Sequence, residues 1–343
     1  MAEIALALEQ ALERRRTEGE AGRTRSRVLA CGAGWSVADV VCTSGPQDHP
    51  FEEQHRCYAI AIVLAGSFQY RSQTGHTLMT PGSLLLGSPG QCFECGHEHA
   101  EGDRCVSFWY EPDYFEHLVS DTGNRNRTHL GTPRIPPMRV LAPVVAQAAA
   151  SVMGTGDASW NELGVELAAR AVSAAAGVSA PYRTPANAEA RVTRIVRRIG
   201  RCPDALLTLD NMSRDAGLSP YHFLRTFERL TGVTPHQYIL RARLREAALG
   251  LASRKDTILD IALQCGFGDV SNFNRAFRAE FGLTPRVYRL RQSGHSVRID
   301  NAGRPKLPER DAAPGDGQAE RDPLSRRPDR CKENVRGDET AYH

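Results

Sequence analysis

The run Ala216-Gly217-Leu218-Ser219-Pro220-Tyr221-His222-Phe223-Leu224-Arg225-Thr226-Phe227 returns in changed form further along the chain. Phe223, Arg225, Phe227, Gly232, Pro235 and Tyr238 recur 50 positions on as Phe273, Arg275, Phe277, Gly282, Pro285 and Tyr288. Upstream, Leu209, Met212 and Gly217 answer to Ile258, Ile261 and Gly266 at an offset of 49, so the two copies differ by one residue in the turn. Self-similarity at such a period marks one supersecondary unit used twice. Each copy predicts a short helix, over 209–216 or 258–265, stopped by a glycine that tolerates the left-handed conformation of a helix end. A buried residue follows, Leu218 or Phe267. A second helix then starts at an N-cap: Ser219 with Pro220 in the first turn, or Asp269.

Within the second helix, Phe223 and Phe227 lie one turn apart, as do Phe273 and Phe277, and are expected to face the core. That leaves Tyr221, His222, Arg225 and Arg229 pointing outward in one copy, and Ser271, Asn272, Asn274, Arg275 and Arg278 in the other. Arg can bond guanine bidentately, Asn can do the same to adenine, and Ser can bond either, so these are groove-reading chemistries. The segments Gly232-Val233-Thr234-Pro235 and Gly282-Leu283-Thr284-Pro285 each end one helix and cap the next. Between the copies, a helix over 235–252 carries Arg241, Arg243 and Arg245.

Charge divides along the same line. Residues 28–178 hold 8 Arg and no Lys against 15 Asp plus Glu, a net of −7. Residues 189–292 hold 18 Lys plus Arg against 10 Asp plus Glu, a net of +8. A basic domain with outward Arg and Asn is the electrostatic footprint of a phosphate-binding surface. Two such heads on one stiff linker would enter successive major grooves, about one helical turn or 34 Å apart.

The quoted run, together with Ile258-Leu259-Asp260-Ile261-Ala262, Gly266-Phe267, Ser271-Asn272-Phe273 and Phe281-Gly282-Leu283-Thr284-Pro285-Arg286-Val287-Tyr288, resembles the signature of the AraC/XylS transcription regulators over about residues 190–291. The resemblance implies a sequence-specific transcription regulator of double-stranded promoter DNA, responsive to a small-molecule or metal effector. It also implies activation rather than repression, with RNA polymerase as a partner, and homodimers. Base-facing positions would be Tyr221, Leu224 and Arg225 in the first unit and Val270, Ser271, Asn272, Asn274 and Arg275 in the second. Leu224 and Val270 depart from the pattern, since neither can hydrogen-bond a base edge, and are expected to touch thymine methyls. Ser213 stands where the family has a small apolar residue, which is expected to loosen the first unit.

Ahead of the repeat, short apolar runs alternate with turn signals at Ser44-Gly45-Pro46, Gly66-Ser67, Thr74-Gly75, Pro81-Gly82 and Ser88-Pro89-Gly90, the spacing of an antiparallel sandwich or barrel. Strands are expected over 58–64, 68–71, 83–86 and 106–110, and helices over 138–153 and 160–176, the latter pair offering a dimer surface. Residues 30–130 are similar to the cupin-like sensor domains often joined to such DNA-binding domains. The fold class is therefore α+β: a cupin-like β barrel with a helical hairpin over 28–178, and an all-α domain with two helix-turn-helix units over 189–292. Residues 1–27, amphipathic at Ile4, Leu8 and Leu12, are read as a flexible extension. Residues 179–188, with two prolines, are a linker, and 293–343, rich in Gly, Pro, Asp and Arg, a disordered tail. With no long apolar stretch and no export signal, a cytoplasmic protein with no membrane partner is expected.

Nine cysteines without an export signal argue for free thiols or metal ligands rather than a disulfide framework. Cys92 and Cys95 in a C-x-x-C pair, His97 and His99 at the i, i+2 spacing that shares one face of a strand, and, shortly after, Asp103 and Cys105 gather soft and borderline ligands. No cofactor is required by the regulator reading, but two to four of these residues could hold zinc or copper. Redox sensing, with a thiolate stabilised near His97 or Arg104, and plain burial of small strand residues stay open beside it. An enzyme would need a His and carboxylate triad, for which His55, His97 and His99 with Glu101 or Asp103 are poorly spaced. A cupin-type enzyme, or a thiol or metal sensor, that uses the DNA-binding domain only for targeting is the rival function.

Overall fold

A computed structural model describes residues 3–50, 52–121, 130–156, 159–178, 186–292, 298–299 and 305–306. The chain opens with helix α1 (Glu3–Glu18) and nine strands: β1 (Thr24–Gly32), β2 (Trp35–Cys42), β3 (Glu52–Gln54), β4 (Tyr58–Gly66), β5 (Phe68–Ser72), β6 (Gly75–Met79), β7 (Leu84–Gly87), β8 (Cys92–Gly96) and β9 (Asp103–Tyr110). Helix α2 (Pro112–Asp121), the short strand β10 (Arg134–Ile135), a 3-10 turn at Arg139–Leu141, and helices α3 (Ala142–Val152) and α4 (Trp160–Ala175) complete the first half.

The strands build two antiparallel sheets, ordered β1-β2-β9-β4-β7-β10 and β3-β8-β5-β6. Side chains alternate faces along a strand, and the sequence uses both faces. On β4 and β9, Ile60, Ile62, Val106 and Phe108 join the core under α2, α3 and α4, while Ala61, Val63 and Cys105 join the core that also holds Phe68, Tyr70, Met79 and Phe93 of the smaller sheet. The expected barrel is corrected to two sheets among the described residues. The turn signals carry the chain from one sheet to the other: Gly66, at φ +76°, turns β4 into β5, and Gly82, at φ +89°, precedes β7.

The flexible extension is also corrected. Ile4, Leu8 and Leu12, four residues apart, are buried with Ala65 of β4 and Ala149 of α3, so α1 is a packed helix, and the strand β1 begins within the supposed extension at Thr24. The helices expected over 138–153 and 160–176 form, but their apolar faces are covered within the chain. Val144, Val145, Leu163, Leu167 and Ala171 sit against the larger sheet, and Ala142 and Ala146 pack into the C-terminal half. Most of the expected linker, residues 179–185, lies outside the described residues, and 186–188 already belong to the next helix. The expected tail lies outside them too, save two short paired strands, Arg298–Ile299 and Pro305–Lys306.

The C-terminal half is helical: α5 (Ala186–Arg201), α6 (Leu209–Asp215), α7 (Pro220–Thr231), α8 (Pro235–Ser253), α9 (Ile258–Gln264), α10 (Val270–Phe281) and α11 (Pro285–Gln292). Two cores result, one around Phe223 and Phe227 with α5, the other around Phe273 and Phe277 with α9 and the end of α8. All four rings are fully buried, each contributing about 2 to 3 kcal/mol of transfer free energy. Leu78 of β6 enters the first of these cores and α3 the second, so the N-terminal half rests on both helix pairs. No described helix is long and apolar enough to cross a membrane.

Candidate nucleic-acid interface

The sequence repeat is a repeat of geometry. Phe223 and Phe227 have ring centroids 5.6 Å apart, Phe273 and Phe277 5.5 Å. Phe227 meets Tyr238 edge-on at 81°, and Phe277 meets Tyr288 at 80°. Edge-to-face packing favours the positive ring edge against the negative face, so the two pairs fix α8 against α7 and α11 against α10 in the same way.

Capping sets where each helix starts. Ser219 Oγ accepts from the His222 backbone N–H at 3.4 Å and sits 2.9 Å from His222 Nδ1, while Asp269 Oδ1 accepts from the Asn272 N–H at 2.7 Å. Thr208 and Thr257 cap α6 and α9, the latter in a capping box with Asp260. Gly232 and Gly282, at φ +78° and +75°, end α7 and α10 in the left-handed conformation. Ser213 is buried, and its hydroxyl donates to the Asp210 carbonyl at 3.0 Å.

With the phenylalanines turned inward, the opposite face of each helix is open. Tyr221, at 68 % exposure, with His222, Arg225 and Arg229, lies on the surface of α7, and Ser271, Asn272, Asn274, Arg275 and Arg278 lie on that of α10. Arg275 Nη2 donates to Asn272 Oδ1 at 3.3 Å, one turn away on the same face. Leu224 and Val270 are half-buried. The arginines of α8 face the protein instead. Arg243 donates to the carbonyls of Pro203, Ala205 and Gly266, Arg241 to Glu280 and the Pro137 carbonyl, and Arg245 is pulled below its ordinary value by burial. The spacer thus owes its position to buried cation contacts, which spacing in the sequence does not reveal.

The cysteine and histidine run comes together only in part. Cys92 and Cys95 are three apart on β8, and in a strand an odd separation sends side chains to opposite faces, so the pair cannot converge. The strand ends at Gly96, so the same-face spacing of His97 and His99 does not apply; His97 is buried against Asp103, with Nε2 2.7 Å from Oδ1, and His99 lies in the following turn. Burial disfavours the charged His97 ring, but hydrogen bonds with Asp103 and Cys42 outweigh it and raise the group to about 10. Burial raises the Cys95 and Cys105 thiols well above their usual range, and Arg104 is held by both oxygens of Asp39 at 2.9 Å. Among the described residues, the one group of three convergent ligands is Cys42, His97 and Asp103. Asp103 belongs to the expected ligand run, but Cys42 does not, because the cross-strand pairing that sets it opposite Asp103 is a matter of topology. His55 stays apart, stacked on Phe93 with Nε2 2.8 Å from the Tyr70 hydroxyl, so the His and carboxylate triad of a cupin-type enzyme does not assemble.

Residues 212–291 match the family profile described as a helix-turn-helix domain. The chain is 33% identical over 90 residues to the HTH-type transcriptional activator AarP of Providencia stuartii, covering 26% of this chain and 67% of that protein. It is 42% identical over 86 residues to the transposon Tn10 TetD protein of Escherichia coli, and to the right origin-binding protein of Escherichia coli K12, covering 25% of this chain in each case. It spans 62% of the former and 30% of the latter. A solved regulator with an AraC-type DNA-binding domain from Chromobacterium violaceum is 28% identical, covering 32% of this chain and 97% of that one, at a TM-score of 0.30. Identical to AarP at 33% of 90 aligned positions that span 67% of that protein, and matching the helix-turn-helix profile over residues 212–291, the chain belongs to the AraC family of transcriptional regulators.

Proposed function

We propose that the chain is a sequence-specific, effector-responsive regulator that reads promoter DNA with two helix-turn-helix units, α6 with α7 and α9 with α10, spaced by α8. The observation that carries this reading is the matched pair of open faces: Arg225 and Arg275 occupy equivalent exposed positions on helices whose other faces are fixed by equivalent phenylalanines. Such faces supply Arg, Asn and Ser to base edges, while the net +8 of this half attracts phosphates. Activation, through contact with RNA polymerase by a homodimer, is the sense of regulation we favour, because AarP is described as a transcriptional activator.

An effector site is supported by an apolar cavity of about 160 Å³ between the two halves, walled by Leu8 of α1, Val63 of β4, Ala149 of α3, Val196 of α5 and Leu249 of α8. A ligand there touches both the sheet and the helices that carry the reading heads. A second copy would not use the apolar faces of α3 and α4, which the chain itself covers.

Selection of duplexes from a random-sequence library by the full chain tests the reading. It should enrich sites with two half-sites about 10 base pairs apart. Replacing Arg225→Ala and Arg275→Ala together should weaken binding to the enriched duplex by about tenfold or more, at about 1 to 3 kcal/mol per lost base contact. Affinity should also fall steeply with salt. Unchanged binding by the double variant, or no enriched duplex, would overturn it.

A further inference from the structure

We propose that Cys42, His97 and Asp103 form a zinc site between the two sheets, beneath α1. Their ligand atoms all lie within 4.8 Å of one another, and the three residues are 2%, 6% and 4% exposed. Topology explains the convergence. Cys42, the last residue of β2, is the direct cross-strand partner of Asp103, the first of β9, so the two side chains share a face. The chain leaving β8 at Gly96 delivers His97 onto the same spot. Cys105, two residues along β9 on that face, has its sulfur 3.2 Å from the other Asp103 oxygen and is the nearest further donor.

The donor set selects the metal. A thiolate, an imidazole and a carboxylate suit zinc, which takes sulfur, nitrogen and oxygen tetrahedrally, whereas calcium or magnesium would require oxygens throughout. On binding, zinc takes the place of the protons on the Cys42 sulfur and on the His97 nitrogen, and those protons leave to solvent; Asp103, which now accepts from His97 and Cys105, turns its oxygen to the metal. No electron is transferred.

The position gives the metal a lever. Between His97 and Asp103 the chain passes Gly102, at φ +66°, where a Cβ would fall 3.0 Å from Leu8 and 3.1 Å from Leu12 of α1. Arg104 Nη1 donates to the Ile4 carbonyl at 3.3 Å. Zinc would pin the ends of β2, β8 and β9 under the helix that also lines the cavity against α5 and α8.

The test is metal uptake by the full chain, purified in reductant, stripped of metal and titrated with Co(II) and then Zn(II). One equivalent should bind, with the thiolate-to-Co(II) charge-transfer band that zinc abolishes. Cys42→Ser and the near-isosteric Asp103→Asn should each weaken uptake more than about tenfold, while Cys92→Ser, on the half-buried strand position opposite Gln54, should bind as the parent does. Circular dichroism and the melting temperature confirm which variants fold, and the parent's charge-transfer band decides the matter if Cys42→Ser does not. The proposal is overturned by a folded parent that takes up no metal or shows no charge-transfer band. Uptake untouched in folded Cys42→Ser and Asp103→Asn, or lost in Cys92→Ser, overturns it as well. None of these readouts depends on DNA binding.

Discussion

Arg139, in the turn that precedes α3, pairs across the two halves of the molecule with Glu280 on α10, its Nε 3.4 Å from the carboxylate. The same carboxylate, 5% exposed, accepts from Arg241 of α8 at 3.2 Å, and Arg241 donates onward to the Pro137 carbonyl at 2.6 Å. Elsewhere between the halves, the half-buried Arg134 guanidinium, pulled down to about 10 by desolvation, donates to the carbonyls of Leu78 on one half and Leu230 on the other. Helix α10 is therefore tied to α8 and to the N-terminal half through one buried anion.

This asymmetry of burial makes the two ends of the pair unequal. Arg139, with a side chain 63% exposed, is screened by solvent, so Arg139→Ala should cost no more than about 1 kcal/mol. Glu280→Gln removes the charge that compensates a partly buried Arg241 and should cost about 2 to 4 kcal/mol. Urea denaturation of both variants measures the difference, and equal losses would show that the exposed ion pair, rather than the buried network, holds the halves together.

The two C-cap glycines form a second natural contrast. Both have left-handed backbones, so alanine at either should cost about 1 kcal/mol. A Cβ at Gly282 meets nothing within 4 Å, but at Gly232 it would fall 2.5 Å from Pro136 Cβ, in the segment leading from β10 to α3. Gly232→Ala should lower the melting temperature clearly more than Gly282→Ala and make the segment between the halves more susceptible to protease. Identical behaviour of the two variants would mean that the Pro136 contact yields freely.

Why Gly232 and Gly282 were readable in the sequence, and Pro136 was not, applies to the whole molecule. The repeat, its caps and the inward phenylalanines follow from spacings of three and four residues, which local physics fixes. The outward set on α7 and α10 follows by subtraction. By contrast, Cys42 with Asp103, Arg139 with Glu280, and α1 on Ala65 are contacts between residues far apart in the chain, brought together by strand order and domain docking. Ile4, Leu8 and Leu12 announced a helix but not the surface it would cover. Cys92 and Cys95 stay apart because a C-x-x-C spacing converges in a turn and diverges in a strand.

Burial holds the His55 ring down to about 4, below the usual imidazole range, so the folded state favours its neutral form. The unfolded chain takes up a proton near pH 6.5 while the folded one does not. The contribution to stability is therefore whole above about pH 6.5 and is lost as pH falls towards 4, by at most about 3 kcal/mol. His55→Gln, which keeps a polar atom for the Tyr70 hydroxyl, should flatten the fall in melting temperature between pH 7 and pH 5 relative to the parent. An unchanged slope would assign the acid sensitivity to carboxylates instead.

Asp269 places a negative charge at the start of α10, beside the face that carries Ser271, Asn272 and Arg275, where it caps the helix through the Asn272 N–H. Capping and charge are separable here, because Asn caps about as well as Asp, whereas Ala does not. Asp269→Ala should cost about 1 kcal/mol in stability. Asp269→Asn should leave stability nearly unchanged, apart from a few tenths of a kcal/mol of lost helix-dipole attraction. If α10 meets DNA with this end, removing the anion relieves a repulsion from phosphate. Asp269→Asn should then bind a duplex of arbitrary sequence several-fold more tightly at low salt, and the advantage should vanish as added salt screens it. Fluorescence anisotropy across a salt series reads both. A variant of parental stability that binds no more tightly at low salt would place the start of α10 away from the phosphate backbone, and with it the register of the whole reading face.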